Sequence, residues 1–285
     1  MKRGNLKLAI GMTVLAATCA LAQSAEAEAE SKGACPAQVW GLTAAEVGAT
    51  TVGVDSYPRE RLLRPVTVPG GMIVLELAGA YRGTGGSAAG NEDASAGLSV
   101  RRGFGCSVEV GLATGFRFTP FDPIPAVAVS VQVALVPGGL ALLAMVQAPI
   151  PNRGGTLTYG VMLGLPFRYA LGPGLAIVGL DHLLNVFASS FAGGAGTFAV
   201  LGLAAPVGLL LQPAEWLAVE VRASPRLGFL LAPPDSGAGT SLGFDAHLQV
   251  SWAPSRHLEF TLGGYLRNRP LEVDLSALAA IQVRF

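Results

Sequence analysis

Hydrophobic and polar residues alternate along most of the chain after Met72. In the last segment, one side of the alternation is apolar: Leu275, Ala277, Ala279, Ile281, Val283 and Phe285. The positions between them include Asp274, Gln282 and Arg284. Because successive side chains of a strand point to opposite faces, the segment predicts a β-strand with one apolar and one largely polar face. As a helix, it would scatter these three polar side chains around the cylinder.

The same alternation recurs in five earlier segments, at 107–118, 127–135, 217–224, 242–252 and 257–267. Two further segments, Leu175 to Leu183 and Phe198 to Leu211, are apolar on both faces. Their spacing still fits a series of strands, so they are predicted to be strands as well. Alternation in one segment arises easily by chance, whereas alternation in six segments indicates a large sheet.

The breaks between segments are rich in Gly, Pro, Asn and Asp, and long breaks alternate with short ones. Gly83 to Ala94 is long and polar, whereas Gly103 to Gly105 and Pro137-Gly138-Gly139 are tight. Counting from Met72 gives about twelve strands, an even number, as in single-chain bacterial barrels. The prediction is an all-β fold, a transmembrane antiparallel up-and-down β-barrel of about 12 strands over residues 72–285.

Composition supports a membrane as the solvent. Of the 285 residues, 13% are charged and 51% are hydrophobic, and the mean hydropathy is +0.50. In hydrocarbon, unpaired backbone groups are costly, and a closed sheet avoids them. Lys and Arg together number 19, as do Asp and Glu, so no net charge favours a nucleic-acid partner.

The N-terminus has the features of a signal peptide. Basic residues Lys2, Arg3 and Lys7 precede an apolar core from Leu8 to Cys19, which is followed by Ala20-Leu21-Ala22. The core is shorter than the roughly 20 residues of a membrane span, so residues 1–22 are predicted to be a signal peptide cleaved before Gln23.

Residues 23–71 show no strand pattern and are predicted to be a periplasmic N-terminal extension, with a plug inside the barrel as the alternative. In the predicted topology, Cys106 begins a strand at the periplasmic side, where Cys35 also lies. A disulfide between Cys35 and Cys106 is therefore a hypothesis, since cysteines pair in an oxidising periplasm.

The last strand resembles the C-terminal signature of bacterial outer-membrane β-barrels, with Ile281, Val283 and a final Phe285. This resemblance implies a location in the outer membrane, contact with its lipid, and Phe285 as an assembly signal for the barrel-assembly machinery. Tyr169 and Trp252 also fall on outward faces at predicted periplasmic ends, as aromatic residues at an interface do. The porin-like class is indicated, but no particular family. The high hydropathy argues against a wide, water-filled channel.

Charged and polar side chains are predicted to line the lumen. The set on inward faces is Glu76, Arg82, Arg101, Glu109, Arg117, Arg168, Glu220, Arg222, Arg226, Asp245, His247, Glu259, Arg267, Asp274 and Arg284. The predicted function is a passive channel or uptake porin for small polar solutes, with a mild preference for anions. The alternative is a structural or adhesion-type barrel with a packed lumen and partner-binding loops.

Catalysis is not expected. Asp245, His247, Glu259 and His257 are predicted to share the inward face of adjacent strands, where histidine and carboxylates could serve as an acid–base pair or metal site. No HExxH or CxxC motif accompanies them, so no enzyme, metal site or cofactor is predicted. Asp181 and His182 are neighbours in a predicted strand, so their side chains are expected on opposite faces.

A polytopic α-helical protein is a third interpretation, with spans at Ala126 to Ile150 and Val161 to Leu183. Pro137-Gly138-Gly139 interrupts the first of these, and Pro166 and Gly172-Pro173-Gly174 interrupt the second. Helix-breaking residues at these central positions make this interpretation the poorer one.

Overall fold

The computed structural model describes residues 35–48, 51–84, 93–118, 126–149, 157–190, 197–231, 239–269 and 272–285. The predicted signal peptide, 1–22, lies outside these residues. The N-terminal elements are β1 (Cys35–Pro36), α1 (Ala44–Val47), β2 (Thr51–Val52) and a 3-10 turn (Arg61–Leu63). The remaining elements are β3 (Ile73–Thr84), β4 (Asp93–Phe104), β5 (Val108–Arg117), β6 (Ala126–Val136), β7 (Leu140–Pro149), β8 (Leu157–Gly164), β9 (Phe167–Gly172), β10 (Leu175–Gly179), β11 (Leu184–Ser190), β12 (Thr197–Ala204), β13 (Val207–Ala214), β14 (Leu217–Leu231), β15 (Gly239–Trp252), β16 (Leu258–Arg269) and β17 (Glu272–Arg284).

Segments β3 to β17 form one antiparallel sheet that closes on itself, because β17 pairs with β3. Each of the pairs β8–β9, β10–β11 and β12–β13 is one barrel strand with an interruption, so the barrel has twelve strands. This confirms the predicted all-β fold class and strand number. Among the described residues, no helix has the length and apolarity needed to cross a bilayer. The segments offered as helical spans are strands, which excludes the polytopic helical interpretation.

The wall has its apolar side chains outside. In β15 and β16, Leu242 is 72% exposed and Leu262 is 66% exposed, whereas the inward Asp245 and Glu259 are each 5% exposed. This is the reverse of a soluble protein, in which large apolar side chains are buried and charges are exposed. The surface of the barrel is therefore suited to lipid, with paired polar groups inside.

Three neighbouring strands are interrupted side by side, at 165–166, 180–183 and 205–206. Pro166 and Pro206 lie in two of these gaps, and a proline removes one N–H donor from a ladder. Leu180 lies in the third with a φ of 59°, an unusual value for a residue with a side chain. The gaps are bridged by the Leu180 N–H donating to the Pro206 carbonyl and by the Leu165 N–H donating to the Leu180 carbonyl, both at 2.7 Å.

We name residues 35–71 the plug segment. The end of the barrel that holds it carries the start of β3, the C-terminus and the short turns, so it is the periplasmic end. Leu62 is 0% exposed and packs in a cluster with the inward-facing Ala176, Val178, Leu210 and Ala218 of the wall. The described residues around Leu62 therefore lie between inward-facing side chains of the wall, an arrangement consistent with the plug alternative.

Candidate functional site

The lumen contains the groups that could carry a function, and it has two parts. In the periplasmic half, the plug segment meets the inward faces of β5, β9, β13, β14 and β16. In the outer half, the walls surround a cavity.

Glu259 lies at the centre of an ion cluster between the plug segment and the wall. Its carboxylate accepts hydrogen bonds from Arg64 of the plug segment and from Arg284 of β17, and Arg61 lies 3.8 Å away. The guanidinium carbons of Arg64 and Arg284 lie 5.6 and 5.2 Å from the ring centroid of Tyr57. Burial lowers the pKa of Arg64, and the charge of Glu259 opposes that shift. Each buried charge of the cluster is compensated by an opposite charge, so the cluster holds the plug segment to the wall.

Wall side chains also satisfy the backbone of the plug segment. Glu109 accepts a 2.8 Å hydrogen bond from the Val68 N–H. Arg168 donates to the carbonyl of Arg64 at 2.5 Å and to that of Leu62 at 3.5 Å. Buried backbone groups need such partners, because an unpaired group loses its contacts with water without replacement. The plug segment is therefore bound in one defined position.

Two glycines at the periplasmic end of the wall, Gly138 in a turn and Gly103 near the end of β4, make room for the plug segment. A Cβ atom at Gly138 would lie 1.7 Å from the Gln38 carbonyl oxygen, and one at Gly103 would lie 2.0 Å from that of Pro69. Any other residue at these positions would collide with the backbone of the plug segment. Cys35 and Cys106 form a disulfide with a Cα–Cα distance of 5.3 Å, which ties the start of the plug segment to the β4–β5 turn.

The first helix of the plug segment is closed by a capping box. The Thr43 hydroxyl accepts a hydrogen bond from the Glu46 N–H, and the Glu46 carboxylate accepts one from the Thr43 N–H at 2.8 Å. The hydrogen bonds from Thr43 lower the pKa of Glu46. This short element places Val47, which is 6% exposed, in the apolar cluster around Leu62.

Charged side chains of the outer half are paired across neighbouring strands. Asp245 lies 2.8 Å from Arg226 and 3.4 Å from Arg267, and Asp274 lies 2.5 Å from Arg82. The His247 ring packs against Tyr265 at 5.0 Å between centroids. These pairs line the polar side of the outer lumen.

Two cavities lie beside these pairs. A cavity of about 680 Å³ is lined by the charged Arg226, Asp245 and Arg267 of β14 to β16 and by the apolar Phe187 and Val200 of the adjacent β11 and β12. A smaller one, of about 180 Å³, separates Arg61 of the plug segment from the strand interruption. The outer lumen thus has room for a small solute, and the plug segment lies beneath it.

By the register of the strands, the predicted lumen residues share the face of the sheet that carries Glu220 and Glu259. The side chain of Arg117 lies outside the described residues. Glu76 accepts a 3.0 Å hydrogen bond from Gln282 and lies 4.0 Å from Arg101. Arg101 in turn lies 3.4 Å from Glu109. Arg222 contacts Glu220 and lies 2.6 Å from Asp181.

The expectation for Asp181 and His182 was wrong. Both residues lie in the interruption between β10 and β11, so strand alternation does not apply to them. The His182 Nε2 lies 3.9 Å from the Asp181 carboxylate, and both line the smaller cavity. Arg61 and Arg64 form a basic cluster in the sequence, but their acidic partners could not be predicted, because these lie more than 150 residues away.

The four residues considered for catalysis do not meet. Glu259 lies in the plug cluster, Asp245 and His247 lie in the outer half, and His257 lies in the exposed turn before β16. Ser241 belongs to a Gly-Thr-Ser-Leu-Gly sequence, but it pairs with Gly228 within a strand and not at a strand-to-helix turn. Within the described ranges, no group of three or more His, Cys, Asp or Glu side chains is placed to bind a metal.

No family model matches the sequence, and a search among curated proteins found no match. Among solved structures, the fold is similar to an outer-membrane channel from Pseudomonas putida F1. That match has a TM-score of 0.59 and 10% identity, and it covers 77% of this chain and 97% of that chain. The translocator domain of the autotransporter NalP from Neisseria meningitidis is also similar, with a TM-score of 0.51 and 12% identity, over 76% and 89% of the two chains.

These likenesses agree with the fold derived from the chain itself. The protein has the fold of bacterial outer-membrane β-barrels, and the apolar outer face of its wall is suited to contact with lipid. It is a twelve-stranded barrel in which Leu62 and neighbouring residues of the plug segment pack on inward-facing side chains at one end of the lumen.

Proposed function

We propose that this protein is an outer-membrane channel for small polar solutes, closed at its periplasmic end by the plug segment. The observation that supports it is a cavity of about 680 Å³ lined by paired charges, which lies above the plug segment in the outer half of the lumen. A barrel that served only as a structural element would have no need for such space. The proposal assigns no reaction to the chain.

The contacts between the plug segment and the wall are consistent with an opening of the lumen. Much of its contact with the wall is polar, through Glu109, Arg168 and Glu259. Water can replace such contacts when the plug segment moves, whereas a large dry interface would offer no replacement. Opening would connect the outer cavity with the periplasm.

The charges of the outer half favour anions. Three described guanidiniums, of Arg82, Arg226 and Arg267, face two carboxylates, of Asp245 and Asp274. One positive charge remains in excess, and a narrow passage with an excess charge enriches the opposite ion. A mild preference for chloride over potassium is expected in the open state, and a clear preference for potassium would contradict it.

The test is the conductance of the mature chain and of Leu62→Asp in planar bilayers. Leu62 is 0% exposed among apolar side chains, so a carboxylate there disfavours the seated plug segment. We expect rare openings for the wild-type chain and frequent openings for Leu62→Asp. Ala45→Asp is the matched control, because it adds the same charge at an exposed position of the same segment.

A folded Leu62→Asp barrel that conducts no better than wild type would overturn the proposal. Heat-modifiable gel mobility shows that the variant is folded. The absence of conductance in both proteins would favour the alternative, a structural barrel with a packed lumen. The tight packing around Leu62 is the observation that supports this alternative.

We also propose that Phe285 is the signal by which the barrel-assembly machinery recognises the chain. Its backbone exchanges two 2.9 Å hydrogen bonds with Ile73, next to the pairing that closes the barrel. Its ring is 57% exposed at the periplasmic rim, where a partner protein can reach it.

A further inference from the structure

The outer cavity has two chemically different sides. On one side, Asp245 lies between Arg226 and Arg267, at 2.8 and 3.4 Å. Two guanidiniums and one carboxylate leave one positive charge in excess. The Arg226 side chain is 41% exposed although it lines the cavity, so it remains accessible to a solute. A guanidinium has five N–H donors in a planar fork, which matches the geometry of a second carboxylate.

The part of the cavity wall next to these charges is largely apolar, although Asn185 also lines it. It is lined by Met162, Phe187 and Val200, from β8, β11 and β12. The ring of Phe187 lies over Gly160, where a Cβ would be 2.8 Å from Cε1. Inward-facing apolar side chains are unusual in a lumen that is otherwise polar, and Phe187 does not belong to the cluster that packs on the plug segment.

Glycines keep the cavity open between these two sides. Gly202 of β12 and Gly228 of β14 are directly paired, and both line the cavity. A Cβ at Gly202 would come no closer than 3.7 Å to any atom, so a side chain fits there but would project into the cavity. The volume of about 680 Å³ lies in the range of small-molecule sites.

We infer that the outer cavity is a binding site for small monocarboxylates that carry an apolar group. The carboxylate lies on Arg226 of β14, and the apolar group lies against Phe187 and Val200 of the adjacent β11 and β12. This inference deepens the proposed function by naming its class of solute, and it rests on that function only for transport. Binding itself requires no opening of the plug segment.

The test uses benzoate as the probe, with benzamide and acetate as comparisons. Benzamide has the shape without the charge, and acetate has the charge without the ring. Ligand-observed NMR of the folded barrel in lipid nanodiscs measures each affinity. We expect saturable binding of benzoate and affinities at least about tenfold weaker for benzamide and acetate, as befits a charge-assisted contact.

Two variants locate the site. Arg226→Gln is expected to weaken benzoate binding by at least about tenfold while leaving benzamide unchanged. Gly202→Leu is expected to abolish binding by filling the cavity. Gly264→Leu is the matched control, since Gly264 lies on the lipid face and a Cβ there meets nothing closer than 4.0 Å. Benzoate affinity that is the same in wild type, Arg226→Gln and Gly202→Leu would overturn the inference, as would equal affinities for benzoate and benzamide.

The outcome for this site is separable from that for the channel. Benzoate binding in a barrel that never conducts, even as Leu62→Asp, would support the site and overturn the channel. Conductance through Leu62→Asp without any benzoate binding would overturn the site and leave the channel in place.

Discussion

Glu259→Gln is the substitution that most directly tests how the plug segment is held. Glu259 is 5% exposed and is the carboxylate shared by Arg64 of the plug segment and Arg284 of the wall. Glutamine keeps the size and one carbonyl oxygen but removes the charge. Arg64 and Arg284, which are 6% and 2% exposed, would then remain buried with no carboxylate between them.

The magnitude follows from the burial of these groups. Removing one partner of a buried ion pair costs about 3–5 kcal/mol. Arg64 keeps its hydrogen bonds to the carbonyls of Pro58, at 3.0 Å, and Arg59, at 2.7 Å. Since these bonds and the remaining glutamine carbonyl offset part of the loss, we expect the seated plug segment to lose about 2–3 kcal/mol. That loss corresponds to a roughly 30- to 150-fold rise in the ratio of open to closed states.

Single-channel recording measures this ratio as the quotient of open and closed dwell times. The unit conductance should change much less than this ratio, because glutamine occupies nearly the same volume as Glu259 in the wall of the open lumen. Glu76→Gln is the control, since Glu76 faces the same lumen but contacts Gln282 and Arg101, both of the wall. An unchanged ratio in folded Glu259→Gln, or an equal rise in Glu76→Gln, would refute this account of the plug segment.

Three further predictions concern the Cys35–Cys106 disulfide, the lipid face and assembly. Non-reducing peptide mapping of protein from the cell envelope should find Cys35 linked to Cys106, and reduction should raise the frequency of openings; two free thiols in that protein would contradict it. Leu262→Lys, on the lipid face, should destabilise the barrel by about 2–4 kcal/mol in urea titrations of vesicle-inserted protein, whereas Gln147→Lys in the lumen should cost little; equal losses would contradict the assigned faces. Phe285→Ala should lower the amount of heat-modifiable barrel in membrane fractions but not the yield of refolding in detergent, and unchanged abundance in cells would exclude Phe285 as the signal.

The strand number and the faces of the wall could be predicted from the sequence because the bilayer enforces them locally. A residue such as Leu262 must be apolar whatever its neighbours are, since it faces hydrocarbon. Each strand therefore carries its own signal of period two, and the short turns such as Pro137-Gly138-Gly139 mark where strands end.

The position of the plug segment could not be predicted in this way. It has no period, and its partners, such as Glu259 for Arg64, are separated from it by 195 residues. One signal was present in the sequence. The segments 175–183 and 198–211 are apolar on both faces because Ala176, Val178 and Leu210 pack against Leu62 inside the lumen. A strand of a polar lumen that is apolar on both sides indicates an apolar occupant.

The environment of Asp181 was also hidden from pattern analysis. Leu180 adopts a positive φ although it is neither glycine nor asparagine. The residue type at this position therefore does not predict the strand interruption. Once the strand breaks there, the rule of alternating faces no longer applies. Asp181 and His182 then both line the cavity next to Arg222.

The plug segment is fastened at both of its ends. Cys35 is bonded to Cys106 at one end, and the other end continues directly into β3 at Ile73. A segment attached in this way cannot diffuse away from the pore. Its effective concentration at its binding position is in the millimolar range, as for a module on a short tether. Return of the plug segment should therefore be fast and independent of the amount of protein in the membrane, so that each barrel closes without a second molecule.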